Sequence, residues 1–332
     1  MAKKSKPRAG SMAFYPRVRA KSIIPKFSSF IDLKTADSKP LAFYAIKSKM
    51  THIHAKNMHK NSSTYGQEVS YPVTIVESPD MKVIGARFYK LNSSVLGKST
   101  IYEYVLRDNM VSKKIKGNLK SKKENKAKDA NLWEKKKDLA DSLVLICYVN
   151  YKATYAGQKK PVIVEIPLSG TYANQILYFK EKLGKTISVD EVFNKDDYLD
   201  VKSITIGHGT EGPVTRFGVK IQRPKAQQAE RHVGSVGPWH PATIMYTVAR
   251  AGQHGFHNRT TFNKRILMMD SDFSKINPTG GFRSCGPIKN KYLLVYGVLP
   301  GPSKRVLALR KAVRPQRNSV EITDISYIYK KN

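Results

Sequence analysis

Carboxylates are missing from long parts of this chain. None occurs between Arg231 and Met269, none in the first 31 residues, and none from Phe273 to Val320. The first of these stretches still carries five Lys/Arg and four of the eight histidines, the second eight Lys/Arg and the third ten. Cations without internal counter-charges repel one another and cost desolvation when buried, which makes such segments hard to build into a core. Cysteine is also scarce. Cys147 and Cys285 lie far apart and form no CxxC pair, so neither a zinc knuckle nor a disulfide framework is implied. No apolar run approaches the ~20 residues of a membrane-spanning helix, and the longest, Leu143 to Val149, suits a buried strand. The basic N-terminus lacks the apolar segment of a signal peptide. These absences predict a cytoplasmic protein with no membrane partner.

What the chain has instead is positive charge. There are 59 Lys+Arg against 25 Asp+Glu, a formal net charge of +34 and a pI near 10.0. Such a surplus speaks of partners rather than fold. A polyanion with bases to stack on supplies both counter-charge and π-surface, which makes nucleic acid the leading partner. At 332 residues and 40% hydrophobic content the chain holds a real core, in one large or two modest domains.

The segment from Pro7 through Arg8, Gly10 and Ser11 to Phe14, Tyr15, Arg17 and Arg19 reads as an extended arm. Its arginines are spaced to fork onto phosphates, with rings beside them for bases. Short strands are predicted at Ala42 to Ile46, Met50 to Ile53, Val69 to Val76 and Tyr102 to Leu106, with Phe88 in the same style. Ser112 to Lys137 is a lysine-rich connection leading into a helix around Ala130 to Ala140. Strand character returns at Leu143 to Val149 and Val162 to Ile166. Tyr172 to Leu183 has helical spacing and stops at Gly184; Ser188 with Glu191 makes a capping box for a short helix through Phe193. Val201 to Ile206, Val214 to Ile221, Tyr292 to Val298 and Ile322 to Tyr329 read as further strands. The fold class is mainly β with an α/β insertion, in the form of an interrupted barrel.

Apparent catalytic signals do not hold up. Gly207, Gly209 and Gly212 form a GxGxxG, but Pro213 follows and the acid needed some 20 residues on is absent, so a tight strand connection or close approach to phosphate is expected. His52, His54 and His59 match no strong zinc spacing and read as strand-surface side chains. His254 and His257 have no carboxylate nearby to help neutralise a metal, whereas neutral imidazoles suit hydrogen bonds to RNA. No metal, cofactor or catalytic set is therefore assigned. Trp239 stands between Gly237-Pro238 and His240-Pro241, which support neither helix nor strand, and is expected at the tip of a projecting loop.

Gly234 to Pro241 and Arg250 to Leu267, with Asn258-Arg259-Thr260 and Asn263-Lys264-Arg265-Ile266, resemble the universal large-subunit ribosomal protein family called L three. So do Pro7-Arg8-Ala9-Gly10-Ser11 with Pro16-Arg17, Met50-Thr51-His52, Gly212-Pro213-Val214, Gly280-Gly281-Phe282, Lys289-Asn290, Pro300-Gly301 and Lys304-Arg305. The matches run in order along nearly the whole chain, and the α/β insertion is similar to that of archaeal and eukaryotic members. The resemblance implies a six-stranded translation-factor-type β-barrel, an inserted α/β domain and two extensions that penetrate the rRNA. It implies binding near the 3′ end of large-subunit rRNA, early subunit assembly, neighbouring large-subunit proteins, and no chemistry of its own. Trp239 takes the place of a tryptophan finger directed to the peptidyl transferase region near the factor-binding area, with His240 at the same tip.

On this reading residues 1–40 are the arm, 41–85 the first part of the barrel, 86–200 the insertion, 201–221 barrel strands, 222–280 the central extension and 281–332 the rest of the barrel. Arg8, Arg17 and Arg19 hold the arm on rRNA. Trp239, His240, Arg250, His254, His257, Arg259, Lys264 and Arg265 serve the central extension, and Lys275, Lys304, Arg305 and Arg310 extend the contact over the barrel. Both extensions are expected to be disordered until counterions leave the RNA. An RNA-modifying enzyme and a general nucleic-acid-coating protein remain the alternatives that composition allows.

Overall fold

The computed structural model describes residues 8–30, 37–92, 97–106, 139–157, 161–316 and 322–330. It is mainly β and divides into two compact units. The smaller combines the chain up to Ile23 with Ile204–Arg259, and the larger combines Ile24–Ser203 with Thr260–Asn332.

The larger unit starts with two strands, β1 (Ala42–Asn57) and β2 (Glu68–Glu77). β1 is long because both of the expected short strands belong to it, joined through a register shift between Lys47 and Met50. Next come β3 (Met81–Asn92), β4 (Gly97–Val105), β5 (Ser142–Val149), β6 (Val162–Pro167), helix α1 (Tyr172–Lys182) and β7 (Thr186–Ile187). These strands pair as β4-β3-β5-β6, with β7 also on β3. Gly85 is required there, because a Cβ would lie 2.0 Å from the carbonyl oxygen of Tyr104 on β4. α1 lays Phe179, fully buried, across this sheet against Phe88 and Tyr104. Its buried Gln175 accepts from Leu143 N and donates to the carbonyls of Leu168 and Gly170, locking the helix to the start of β5. Gly184 has φ +77 and the Ser188–Glu191 capping box is present, both as expected.

A second sheet takes β8 (Tyr198–Ile204), and further along the chain β11 (Asn258–Asp270), β12 (Tyr292–Tyr296), β13 (Val306–Lys311) and β14 (Ile322–Ile328). Its order is β13-β8-β11-β12-β2-β1-β14, and β13 pairs with β1 as well. The sequence reading missed β13, whose six residues hold Leu307, Ala308 and Leu309 fully buried. In the smaller unit β9 (Gly207–Glu211) and β10 (Gly252–Gly255) form a two-stranded ribbon, with helix α2 (Pro213–Phe217) between them in sequence.

Several expected boundaries move. The strand read over Val214 to Ile221 is instead α2, which Pro213 starts and Gly218 ends in the left-handed region at φ +68. The two compact units divide at Ile204 and Arg259, and Ile266–Asp270 of β11 pair with β12. In the β4-β3-β5-β6 sheet the pairing of β3 with β5 runs over Met81–Tyr89. The lysine-rich segment and most of the helix expected around Ala130 to Ala140 lie outside the described residues.

Arg310, one of the expected RNA contacts, is held inside the protein. It sits on β13 with only 7% of its surface exposed and forks through Nε and a terminal nitrogen onto Asp200, itself 1% exposed, at 3.2 and 3.0 Å. Phe27 covers the guanidinium at 4.5 Å, and Ser29 O accepts another of its bonds. Its charge is already neutralised inside the protein. Replacing Asp200 with Ala leaves that guanidinium buried and unpaired, and is expected to destabilise the chain by about 3–5 kcal/mol in urea unfolding; a loss within experimental error would show that the pair holds nothing together.

Candidate nucleic-acid interface

The smaller unit holds 14 Lys/Arg and two carboxylates, Glu211 and Glu230. The ion pairs found among the described residues all lie in the larger unit. The smaller unit instead ties down its arginines with backbone carbonyls and aromatic faces. Arg17 lies 4.4 Å over the Phe217 ring and donates to the carbonyls of Arg216 and Ser11. Arg216 returns a bond to Arg17 O and also reaches Gln253 O at 2.9 Å and Arg250 O at 3.1 Å. A single guanidinium thus joins the N-terminal segment, α2 and β10. Carbonyls are dipoles, so this bracing engages terminal donors, although Arg17 Nε is left without a partner, and leaves the positive charge in place.

Two glycines permit the approach. A Cβ at Gly10 would meet Phe217 at 2.7 Å, and one at Gly255 would meet Ile206 O at 2.0 Å; both positions have positive φ. Tyr15 stacks on Phe217 and meets Tyr246 edge-on. Ala20 N donates to Phe256 O. The arm and the central extension are therefore not independent tails in this structure: residues up to Ile23 are bound into one unit with Ile204–Arg259. Residues 24–30 belong to the larger unit, where Pro25 O accepts from Tyr44 and Lys26 O from Lys202.

Beyond this brace the unit is open. Arg8, Arg19, His240 and Arg250 are exposed, and Trp239 is 87% exposed, the highest value among the large apolar side chains of the described residues. Gly237 beside it has φ +138, and the chain from 231 to 251 contains no helix or strand. Arg19, Lys21, Gly207, Gly209 and Phe256 line a cleft of about 700 Å³. His254 is half-buried and stacks on His208 at 5.3 Å. Arg259 lies 4.6 Å over Phe14. Among the described residues no group of three or more His, Cys, Asp or Glu has the arrangement to hold a metal ion, and no helix is long and apolar enough to cross a membrane.

A family model described as ribosomal protein L3 matches residues 1–331. The chain belongs to the ribosomal protein L3 family. Among its curated relatives, the large ribosomal subunit protein uL3 of Methanococcus vannielii is 40% identical over 336 residues, covering 99% of this chain and 98% of that protein. The uL3 of Methanosphaera stadtmanae is 41% identical with the same coverage, and that of Methanocaldococcus jannaschii 37% over 98% of this chain and 96% of its own length. The family resemblance read from the sequence is thereby shown, and these relatives are archaeal.

Within this L3 chain the other expected contact residues lie in the larger unit. Lys304 is exposed, Arg305 half-buried and Lys264 half-buried beside Gly297. Lys275 is exposed but bridges Asp270 at 2.8 Å and Asp272 at 3.7 Å. Arg265, like Arg310, is buried: it is 7% exposed and forks onto Asp196. The sequence reading did not single out Arg216, although its place one residue before the aromatic and two before the glycine that end α2 was the available signal.

His257 is also buried, and its Nδ1 donates to Val18 O at 2.9 Å, since a carbonyl can only accept. Burial pushes its pKa down, the bond to Val18 raises it, and Arg259, His254 and Arg17 add further lowering. A histidine depressed in the folded state contributes stability in full above its unfolded value of 6.5, and loses it as the pH falls through the folded value. The stability gap between the wild type and His257→Gln, from denaturant midpoints, is expected to be widest above pH 6.5 and to close on acidification. A gap independent of pH would remove His257 from the brace.

Proposed function

We infer that this chain is a structural constituent of the large ribosomal subunit, bound there by large-subunit rRNA and by neighbouring ribosomal proteins, in the cytoplasm. It is not an enzyme. The family match over nearly the full length supports this, and the observation that carries the RNA contact is the smaller unit's charge. Fourteen cations against two carboxylates leave a positive field that an external polyanion would neutralise.

On this reading Arg8, Arg19 and Arg250 meet phosphate, while Arg17 and His257 hold the unit in shape. Lys264, Lys304 and Arg305 add contacts from the larger unit. Most bonds go to phosphate and sugar, so recognition follows rRNA shape, in the region that includes the 3′ end. Trp239 and His240 form a finger toward the peptidyl transferase region, and the arm supports early assembly and the factor-binding area. The pairing of β13 with β1 supports a closed six-stranded barrel of the translation-factor type, with β14 added at its edge and the β3–β7 unit inserted between β2 and β8.

Changing Arg19 or Arg250 to Ala is expected to lower the slope of log affinity against log salt by about 1 each, at unchanged fold. The partner itself is checked by footprinting on large-subunit rRNA against an unrelated RNA of equal length. Equal, unlocalised protection of both would favour a general coating protein. Trp239→Ala should leave the fold intact but disturb factor binding or peptide transfer in assembled subunits. Normal translation by subunits carrying it would count against the finger.

A further inference from the structure

In the larger unit, the face where β1 meets β14 carries a row of aromatic side chains that the arm and the finger do not involve. Ile53 and Ala55 of β1 are fully buried, so His52 and His54 point the other way and are half-exposed. His52 lies flat on Tyr329 at 4.4 Å and 18°; His54 stands edge-on to His52 at 5.7 Å and reaches Tyr327 at 6.0 Å. Tyr327 is 54% exposed and Tyr329 37%. On the other flank β2 places only Pro72 and Ser70 opposite the two histidines, so the rings are not roofed over. Exposed Lys56 continues the row.

Packing alone does not account for this row. The two imidazoles and two phenols make no side-chain hydrogen bond among the described residues, and the sheet is already closed beneath them by Ile53, Ile325 and Ile328. Four aromatic faces with free polar edges and a cation at the end have what unpaired nucleotides need: rings to stack on, donors and acceptors for base edges, and charge for phosphate. We propose that His52, His54, Tyr327 and Tyr329 form a stacking surface for unpaired nucleotides of large-subunit rRNA. The proposal rests on the ribosomal reading above and adds a contact that does not depend on the cationic extensions.

Ultraviolet cross-linking of the full chain bound to large-subunit rRNA, with the linked peptides mapped by mass spectrometry, tests it. The expected result is a nucleotide linked at Tyr327 or Tyr329. Tyr327→Leu should weaken protection of that nucleotide about ten-fold, while Tyr327→Phe, which keeps the ring, retains it. A complex that forms and cross-links only through the smaller unit overturns this proposal and leaves the ribosomal reading standing. So does a Tyr327 that links, in whole subunits, only to another protein. Failure of any localised protection on the rRNA overturns both.

Discussion

The smaller unit is held together by arginines that bond to carbonyls instead of carboxylates. An arginine paired with an acid spends its charge inside the protein, as Arg310 does on Asp200. An arginine donating to carbonyls remains a full cation to anything outside. Arg216 does this three times, with Gln253, Arg250 and Arg17, and Arg17 does it with Arg216 and Ser11. Burial together with the neighbouring Arg17 pushes the Arg216 pKa down, which records the cost of bringing two cations close. Stacking on Phe217 offsets part of that cost, since the ring face is electron-rich and takes no charge away. The result is a shaped segment whose charge is unspent.

The larger unit follows the opposite logic. Its cations near the core meet acids: Arg265 with Asp196, Lys311 with Asp197, Arg87 with Glu103 and Glu165. Asp200 accepts from Arg310, from Val313 N and from Asn263 N, so one carboxylate fixes β13, the chain beyond it and β11 together. Buried Lys47 is an exception: with burial lowering its pKa, it donates to the carbonyls of Leu299 and Gly301. A unit compensated in this way has little electrostatic reason to change on binding, which suits a mount.

The contrast explains what the sequence revealed and what it hid. β5, β6, α1 with its Gly184 stop, and the Ser188–Glu191 box were legible because each depends on neighbours within a few residues. The exposure of Trp239 was legible for the same reason, from the glycine and prolines on either side. α2 was misread because Val214 and Val219 carry strand propensity, while Pro213 at the first helical position and Gly218 at the left-handed cap were the stronger signals. Arg310 was misread for a different reason. It lies in an acid-free window of sequence, yet its partner Asp200 is 110 residues away. Local charge counting finds segments with no acid of their own; it does not see an acid brought in by the sheet. Arg216 was passed over because its place before Phe217 and Gly218 marks the end of α2 but not which carbonyls its guanidinium will find.

Joining the arm to the central extension also changes how binding should be viewed. Ordering a free backbone costs roughly 1–2 kcal/mol per residue, so two independent tails would lose much of their phosphate energy to that cost. The bonds from Arg8 to Thr247 O, Ala20 to Phe256 O and His257 to Val18 O already fix the arm to the residues that brace the extension. Cations fixed in advance have less entropy to lose on meeting phosphates, so each such contact would contribute more of its strength to affinity. The same bonds set the arrangement of arginines that an RNA surface must match. A fixed pattern of charges can select an RNA by shape, because phosphates that do not match the pattern leave cations unpaired.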